Sequence, residues 1–504
     1  MSYSQSFLLR TLNRIERVGN RLPHPTALFV YLCIFIIALS WLSATAQVSA
    51  LHPGTGEELA ARSLLSGEGL RWMLTNTVSN FINFAPVGTV LIAILGIGLA
   101  EHSGLLGALL QRVVRVAKGS ALTASIVFAG VLSSLGADSG YVVLVPLAGL
   151  AFASAGRHPL AGIAAAFAGV SGGYSANLAI GPLDAILAGL SSEAVQLVAE
   201  DTVASSDNYY FMLASTVLIT LLGTLVSQRW VEPRLPAWQG DTGPTENQTE
   251  DTPSFRWLRW YCGLFLLALL WATLPDDALL RHQQTGSLIG SPLLSGIVTL
   301  IALFAAGAGI VFGYENRRYR RADDWIAGME QSMASMASYL VLMFFAAQFV
   351  NYFAWSGLGA IAAIKGAALL ATLNLPAAPL LLCFILLCAL INLVIGSASA
   401  KWALLAPIFV PMLYLLGISP EGTQLAYRIG DSSTNIITPL MPYFGVVVAF
   451  AQRYDKDLGI GTLMAMMVPY SVAFLLGWSI MLVLWMGLGW PIGPGGAEFL
   501  VPAD

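Results

Sequence analysis

Several apolar runs in this 504-residue chain exceed the roughly 18 residues that a helix needs to cross a lipid bilayer. Charged residues make up only 10% of the sequence, against about 25% in soluble domains, and apolar residues make up 57%. A segment inside lipid has to pair its own backbone groups, which favours helices. The sequence therefore predicts an all-α polytopic membrane protein.

The apolar runs are of two kinds. Nine of them predict simple crossings, at residues 25–46, 71–101, 158–190, 208–230, 257–275, 287–312, 329–355, 421–452 and 461–488. The two others, 120–155 and 376–416, are each interrupted midway by a small, polar, glycine-containing patch. Their halves are short for a crossing, so both are predicted to be re-entrant helical hairpins. Because turn backbone cannot face lipid, each tip has to lie in protein or line a water-filled cavity.

Basic residues give the predicted orientation, because the cytoplasmic loops of membrane proteins carry an excess of lysine and arginine. With nine crossings and two hairpins that return to their own side, the basic N-terminal tail and the basic loops share one side. The opposite loops are neutral or acidic. We therefore expect the N-terminus in the cytoplasm and the C-terminus on the outer side of the membrane. The first hairpin would enter from the cytoplasm and the second from outside.

A polar linker, predicted to be cytoplasmic, divides the chain into two halves that repeat one plan. The halves are 1–231, with the hairpin 120–155 and a broken helix at 158–190, and 257–504, with the hairpin 376–416 and a broken helix at 421–452; the linker is 232–256. Polar residues interrupt the two broken helices at 171–184 and 430–443, and Asn177 and Asn435 lie at nearly equal distances after the hairpin tips. Such units entering from opposite sides form an inverted repeat, a recurrent design of secondary transporters with sites at the midplane.

Few ionisable residues fall at membrane depth, where each costs at least about 2.5–3.5 kcal/mol at the centre of a helix. They are Asp138, Asp184, Lys401, Arg428 and Asp431, with Glu101 and His102 nearer the end of a crossing. Such residues are functional by default in a membrane protein. The alternative for each is a structural ion pair, and Arg428 and Asp431, three residues apart, could pair with each other.

Five of the candidate residues have chemistry that suits a substrate. Arg428 presents a planar, permanently charged, bidentate donor, which predicts a contact to a substrate carboxylate. Lys401 is predicted either to add a second anion contact or to snorkel to the surface. Trp402 could stack on an aromatic substrate, and the alternative is packing or interfacial anchoring. Asp184 and Asn177 are the first-half candidates for substrate contact, and Asp184 is also a candidate for the coupling ion or proton.

Oxygen-bearing side chains after Arg428, together with others near the two hairpin tips, predict an ion site. The candidate ligands are Asp431, Ser433, Asn435, Asn392 and Asp138. Carboxylate and amide oxygens are hard ligands that suit Na⁺, and a carboxylate can instead carry a proton. No cofactor is expected beyond this coupling ion, Na⁺ or H⁺. Three prolines are predicted helix breaks: Pro420, and Pro439 and Pro442, which keep the helix broken beside these ligands.

Other classes of function have little support in the sequence. No Walker A motif is present, which argues against an ATP-driven pump. The four cysteines lie in apolar stretches, and the five histidines are scattered, so no metal-ligand spacing arises. The charges lie in loops, so the net charge of −4 gives no reason to expect a nucleic-acid partner.

Long motifs of the sequence resemble the AbgT family of bacterial p-aminobenzoyl-glutamate transporters, whose relatives also export sulfonamide antimetabolites. The motifs are SSLGADSGYVVLVPLAG, VSGGYSANLAIGPLDAIL, INLVIGSASAKWALLAPIFVPM and YRIGDSSTNIITPLMPYFGVVVAFAQRY. The resemblance implies nine transmembrane helices, two re-entrant hairpins and a homodimer with a water-filled bowl open to the cytoplasm. It also implies functional roles for Asp184, Ser399, Trp402, Pro420, Arg428, Asp431 and Pro439, and a sodium site at Asn392 and Asp431.

The leading hypothesis is ion-coupled transport of p-aminobenzoyl-glutamate or a related folate-type glutamate conjugate, with no enzymatic activity. Export of sulfonamide antimetabolites, driven by the proton-motive force, is the close alternative on the same fold. A sodium–dicarboxylate symporter would share the architecture but has less use for Trp402. An intramembrane aspartyl protease using Asp184 and Asp431 would explain two buried carboxylates but not the duplicated hairpins.

Overall fold

The computed structural model describes most of the chain and is almost wholly helical. The described residues are 25–51, 58–116, 120–135, 140–238, 253–275, 277–288, 291–438, 441, 443–494 and 498–501. Within them one small antiparallel sheet pairs Ser49–Leu51 (β1) with Glu58–Ala60 (β2).

The helices follow one another along the chain. In the first half they are Pro25–Thr45 (α1), Gly67–Ile82 (α2), Ala85–His102 (α3), Leu105–Val116 (α4), Ser120–Ser133 (α5), Val145–Ser154 (α6), Pro159–Phe167 (α7), Pro182–Val195 (α8) and Tyr209–Val226 (α9). In the second half they are Arg256–Thr273 (α10), Pro292–Ser295 (α11), Ile297–Glu315 (α12), Ala322–Ser335 (α13), Ala337–Trp355 (α14), Leu358–Ala371 (α15), Ala377–Asn392 (α16), Ala398–Tyr414 (α17), Pro420–Asn435 (α18), Phe444–Ala451 (α19) and Ile460–Gly487 (α20). Short π-helical turns lie at Gly140–Leu144, Ala168–Gly172 and Ser227–Val231, and a 3₁₀ turn lies at Glu232–Arg234.

Six helical segments within the described residues are long and apolar enough to cross a membrane. They are Thr26–Thr45, Gly67–His102, Tyr209–Arg234, Ile297–Glu315, Ala337–Trp355 and Ile460–Gly487. These segments coincide with six of the nine predicted crossings. The other three, 158–190, 257–275 and 421–452, fall on shorter or interrupted helices: α7 with α8, α10, and α18 with α19. The chain is thus a polytopic membrane protein, and the count of nine crossings stays a prediction.

Both predicted hairpin regions contain two helices. In the first, α5 ends at Ser133 and is followed by a turn at 134–135, while the tip at 136–139 lies outside the described residues. In the second, α16 ends at Asn392 and α17 begins at Ala398. The central interruption is therefore present in the second region, and the re-entrant course of both remains a prediction.

The second broken helix is interrupted later than the sequence predicts. Residues 430–435 were expected to open the interruption, but they are helical, since α18 runs without a break to Asn435. The Thr434 hydroxyl donates to the carbonyl of Gly430 at 2.8 Å, so this polar side chain is satisfied by its own helical turn. The first broken helix, in contrast, is open between Gly172 and Pro182.

Pro420 begins a helix and does not break one, contrary to the prediction. It occupies the first turn of α18, where Ser419 is the N-cap and its hydroxyl accepts from the backbone N–H of Gly422 at 3.0 Å. A proline suits this position because its fixed φ is helical and the first-turn N–H groups have no intrahelical partner. Pro439 and Pro442, the other two predicted breaks, lie outside the described residues.

Glycines let each hairpin lie directly against the neighbouring broken helix. A Cβ on Gly430 of α18 would stand 2.5 Å from the carbonyl oxygen of Ile385 on α16. In the first half, a Cβ on Gly169 would stand 2.4 Å from the carbonyl oxygen of Val127 on α5. The same close backbone contact therefore occurs in both halves, as expected for small residues at helix interfaces in membranes.

Candidate functional site

The candidate site is centred on α18, a helix that is polar and yet buried. Every residue of α18 except Glu421 is buried. Its neighbours are α16 and α17 of the second hairpin, α8 of the first half, and α20. A helix that buries Arg428 and Asp431 inside a membrane protein needs a partner for each charge, because an unpaired buried charge is strongly unfavourable.

Arg428 pairs with Asp184 of the first half. The distance between Arg428 Nη2 and Asp184 Oδ1 is 2.7 Å, and both side chains are almost fully buried. Asp184 is held in place at the start of α8, where its other carboxylate oxygen accepts from the backbone N–H of Gly181 at 2.7 Å. The ion pair joins the two broken helices, and the alternative pairing of Arg428 with Asp431 does not occur.

Two donor atoms of Arg428 remain unused. Nε and Nη1 are buried and have no hydrogen-bond partner among the residues that the structure describes. A buried donor without a partner costs about 1–3 kcal/mol. Arg428 therefore points an incomplete guanidinium into the protein interior, which is the arrangement that a ligand carboxylate would complete.

Asp431 pairs with Lys401 of the second hairpin. Lys401 Nζ lies 2.5 Å from Asp431 Oδ1, so the two side chains form an ion pair. Asp431 Oδ1 accepts no hydrogen bond from the described part of the chain. The ammonium also donates to Asn392 Oδ1 and, at 3.3 Å, to the carbonyl oxygen of Ile395. Lys401 is fully buried, so the prediction that it snorkels to the surface is wrong.

Asn392 is held by the turn of α18 that carries Asp431. Its Nδ2 donates to the backbone oxygen of Asp431 at 2.6 Å, and to Thr434 Oγ1 and Asn435 Oδ1 at 2.9 Å each. Its Oδ1 is thereby turned toward the ammonium of Lys401. Ser433, another predicted ion ligand, directs its hydroxyl to the carbonyl of Gly430 at 3.3 Å.

A sodium ion does not fit the predicted ligand set in this arrangement. Asn392 Oδ1 and Asp431 Oδ1, two of the oxygens that would bind it, already contact the ammonium of Lys401. The described residues also contain no group of three or more His, Cys, Asp or Glu side chains placed to hold a metal ion. Asp138, the remaining predicted ion ligand, lies outside the described residues.

The first half contains a counterpart of the Asn392–Asn435 contact. Asn177 Nδ2 donates to Ser134 Oγ at 2.8 Å, just before the first hairpin tip. In each half, an asparagine of the broken helix thus bonds to a polar side chain at the approach to the hairpin tip. Asn177 lies in the open segment and Asn435 at the end of α18, so the matched positions differ in backbone conformation.

Trp402 is a packed residue in this conformation. Its ring is fully buried and stacks on Tyr427, with the ring centroids 4.4 Å apart. The indole Nε1 donates to Ser191 Oγ at 3.1 Å and to the carbonyl of Leu187 at 3.2 Å, both on α8. Ser399, at the start of α17, is half-buried, and its hydroxyl lies 3.4 Å from that of Ser397.

Sequence and structure comparisons place the chain in a family. The sequence profile of the AbgT transporter family matches residues 10–500. The chain belongs to the AbgT family. It is 37% identical over 486 residues to the p-aminobenzoyl-glutamate transport protein of Escherichia coli (strain K12). The match covers 95% of this chain and 95% of that protein.

Two solved AbgT structures resemble the whole chain. The YdaH transporter of Alcanivorax borkumensis is 53% identical, with a TM-score of 0.89, and the match covers 94% of this chain and 100% of that one. MtrF of Neisseria gonorrhoeae, described as illuminating a class of antimetabolite efflux pumps, is 44% identical, with a TM-score of 0.89, and the match covers 98% and 100%. These AbgT relatives are transporters and pumps, not enzymes.

The two aspartates agree with this AbgT membership and not with a protease. Asp184 and Asp431 each face a cation of their own, Arg428 and Lys401. The carboxylates of an aspartyl protease instead share one proton between them. The buried charges therefore form two separate ion pairs around one helix.

The sequence reasoning missed a polar chain beside the candidate site. Ser191 Oγ donates to Gln424 Oε1 at 2.7 Å, and Gln424 Nε2 donates to Asn208 Oδ1 at 3.0 Å. Gln424 precedes Arg428 by one helical turn and thus lies on the same face of α18. That spacing of four residues was the signal available to find it.

Proposed function

We propose that this AbgT-family protein transports p-aminobenzoyl-glutamate, or a related aromatic glutamate conjugate, across the inner membrane by coupling to an ion gradient. The observation that carries the proposal is the buried guanidinium of Arg428, which keeps two unused donors. A glutamate carboxylate has two oxygens that match such a fork. The 37% identity to the Escherichia coli p-aminobenzoyl-glutamate transport protein supports the same substrate.

The charges at Arg428 give a physical reason for ion coupling. Arg428 is already neutralised by Asp184. A substrate carboxylate bound there brings a second negative charge to one positive charge, in a region of low dielectric constant. A proton or another cation that enters with the substrate offsets this excess charge, which links the two movements.

The aromatic half of the substrate needs a contact of its own, and Trp402 is the proposed one. In this conformation Tyr427 covers one face of the indole and the ring is fully buried. Contact with a substrate ring therefore requires α17 to move relative to α18. Ser399, half-buried at the start of α17, and Asn177, which bonds to Ser134 of the first hairpin, are proposed to line the path.

The proposed architecture is the inverted repeat read from the sequence. It has nine crossings, two re-entrant hairpins, halves at 1–231 and 257–504, a cytoplasmic N-terminus and a periplasmic C-terminus. The matched asparagine contacts and the matched glycine contacts of the two halves support it. A homodimer is proposed by family resemblance.

Export of sulfonamide antimetabolites is the second candidate function. It is favoured by the 44% identity to Neisseria gonorrhoeae MtrF, which is described among antimetabolite efflux pumps. Sulfonamides lack the glutamate carboxylates, so their transport should depend less on the guanidinium of Arg428. The two substrates can therefore be distinguished by one variant.

The test is flux of labelled p-aminobenzoyl-glutamate in proteoliposomes under imposed H⁺ or Na⁺ gradients, in both directions. The wild-type protein should show gradient-driven flux, and Arg428→Ala should abolish it while the protein stays folded. Arg234→Ala is the matched control, because Arg234 is exposed. Flux that no gradient changes would refute ion coupling, and normal uptake by Arg428→Ala would refute the carboxylate contact.

Competition with unlabelled compounds separates the remaining candidates in the same assay. Aromatic glutamate conjugates should compete, and simple dicarboxylates should not. Strong competition by a dicarboxylate without a ring would favour a sodium–dicarboxylate symporter instead. Sulfonamide export that persists in Arg428→Ala would assign the efflux function to contacts other than this guanidinium.

A further inference from the structure

Three oxygens form a cage around the ammonium of Lys401. They are Asp431 Oδ1 at 2.5 Å, Asn392 Oδ1, and the carbonyl oxygen of Ile395 at 3.3 Å, and we call them the oxygen cage. Ile395 lies just beyond the end of α16, where helix carbonyls carry a partial negative charge. Carboxylate, amide and free carbonyl oxygens at a broken helix are the groups that coordinate Na⁺ in inverted-repeat transporters.

The cage surrounds the ammonium with two hydrogen-bond acceptors, Asn392 Oδ1 and the carbonyl oxygen of Ile395, and one ion-pair partner, Asp431 Oδ1. An ammonium has three N–H donors and no acceptor, and the cage supplies three oxygens. The orientation of the Asn392 amide is fixed from its other end, because Nδ2 donates to three acceptors on α18. A flipped amide would turn Nδ2 toward the positive charge of Lys401 and lose those bonds.

We infer that Lys401 is a tethered cation that takes the place of a sodium ion in the oxygen cage, so that Na⁺ does not bind there while Lys401 is present. The inference deepens the proposed ion-coupled transport, because it removes this cage from the sodium-binding sites that could couple transport. A lysine that belongs to α17 also joins the second hairpin to α18 electrostatically, as a bound ion would.

The competition between ammonium and sodium can be measured without substrate or flux. The thermal unfolding midpoint of the full-length protein in detergent is determined in NaCl and in choline chloride at equal ionic strength. The wild-type midpoint should be the same in both salts. In Lys401→Met, which keeps most of the side-chain volume but removes the charge, the midpoint should rise with NaCl concentration and not with choline chloride, because ligand binding stabilises the folded state.

Lys365→Met is the matched control, because Lys365 lies on α15 with an exposed side chain. Its midpoint should stay insensitive to the choice of salt. The inference is overturned if Na⁺ raises the wild-type midpoint as much as that of Lys401→Met, or if folded Lys401→Met gains no sodium-specific rise.

A second measurement covers the case in which Lys401→Met does not fold in either salt. Radiolabelled Na⁺ binding to the wild-type protein then decides. Stoichiometric binding by the wild-type chain that Asn392→Leu abolishes would overturn the inference. Binding that is absent at concentrations that saturate sodium-coupled carriers, or that Asn392→Leu leaves unchanged, would uphold it. Neither assay contains p-aminobenzoyl-glutamate. If the inference about Lys401 is overturned, the proposed transport function is therefore still judged by the flux experiment alone.

Discussion

Two ion pairs are built on the same buried helix and are completed in opposite ways. Lys401 and Asp431 lie in one half of the chain, with Asn392 and the carbonyl of Ile395 filling the remaining positions around the ammonium. Arg428 and Asp184 come from different halves, and Arg428 keeps two donors without a partner among the described residues. We call the first, whose ammonium is surrounded by oxygens of the protein, the closed pair, and the second, which keeps unused donors, the open pair.

We propose that this difference separates a structural role from a binding role on one helix. Both pairs have the burial and charge that mark functional residues in membranes. Only the Arg428 pair keeps N–H donors without a partner among the described residues, whereas Asp431 Oδ1, which accepts no hydrogen bond, still faces the ammonium of Lys401. The number of unused donors thus distinguishes the two pairs better than burial does.

The largest expected effect comes from removing one carboxylate of each pair in turn. Asp431→Asn and Asp184→Asn each leave a buried cation without compensation, which typically costs about 3–5 kcal/mol of stability. The two variants should differ when p-aminobenzoyl-glutamate is added. Its carboxylate can reach the open Arg428 and restore part of the unfolding midpoint of Asp184→Asn, but it should restore nothing in Asp431→Asn.

Thermal unfolding in detergent, with and without the conjugate, measures this difference. An equal rescue of both variants would show that the ligand does not distinguish the open pair from the closed one. Acetate at the same concentration controls for an unspecific effect of carboxylates.

A third buried carboxylate sharpens the comparison, because it faces no cation in the described residues. Asp207, in the loop before α9, accepts from the backbone N–H of Ala204 at 2.6 Å. Burial raises the pKa of Asp207 from 3.8 to about 6, with a further rise from the negative charge of Asp201. A raised folded-state pKa means that the stabilisation from protonated Asp207 is complete below about pH 4 and is lost as the pH rises through about 6.

Asp207→Asn should therefore be more stable than the wild type at pH 7, by at most about 3 kcal/mol. Asparagine keeps an oxygen to accept from Ala204 but carries no charge. The unfolding midpoint measured between pH 4 and 8 should fall less steeply in the variant than in the wild type. Glu200→Gln, at an exposed position in the same loop, should leave that slope unchanged. If the unfolding midpoint of Asp207→Asn fell with pH as steeply as that of the wild type, the raised pKa of Asp207 would be contradicted.

The next prediction concerns the contact that positions both pairs, between α16 and α18. A Cβ added to Gly430 would meet the carbonyl oxygen of Ile385 at 2.5 Å and Cβ of Cys388 at 2.7 Å. Gly430→Ala should therefore lower stability by about 1–3 kcal/mol, because a packed backbone contact has no room for the methyl group. Gly169→Ala should have a similar effect in the first half.

Gly445→Ala is the control for both glycine variants, because a Cβ there meets nothing within 4 Å. Its unfolding midpoint should stay equal to that of the wild type or rise slightly, since alanine favours helix more than glycine does. If Gly430→Ala lost no more stability than Gly445→Ala, the close contact between α16 and α18 would be contradicted.

Much of the fold followed from the sequence, because apolar length and interruption are local properties. The predicted crossings at 25–46 and 461–488 match long helices, and the second hairpin region is interrupted where small polar residues occur. The extent of α18 was not predictable in this way. Glycine, serine and asparagine suggested a break after Arg428, but tertiary packing and hydroxyl bonds to the preceding turn keep that segment helical.

The buried charges were found from the sequence, but their partners were not. The spacing of Arg428 and Asp431 offered a local pairing, which is the only kind that helical periodicity reveals. The actual partners, Asp184 and Lys401, lie on other helices and are set by how the halves pack. Charged residues at membrane depth therefore indicate the site from the sequence alone. Which residue pairs with each charge is known only from the structure.

The smallest expected effect tests how α8 supports the open pair. Ser191 lies on the same helix as Asp184 and bonds both Trp402 and Gln424. Ser191→Ala should cost about 0.5–1.5 kcal/mol, because the indole N–H keeps the carbonyl of Leu187 as an acceptor. The substitution loosens α8 beside the Arg428 pair, so the KM for p-aminobenzoyl-glutamate should rise with little change in the maximal rate.

Ser192→Ala is the matched control for this variant. Ser192 is buried on the same helix but bonds to the backbone of Val203 in the following loop, away from Trp402. It should lose a comparable amount of stability without any change in KM, as measured by unfolding midpoints and proteoliposome uptake. Equal effects of the two serines on KM would mean that α8 acts on transport only through overall stability. A selective effect of Ser191 would tie the polar chain to the geometry of Arg428 and Asp184, which is the open pair of the comparison.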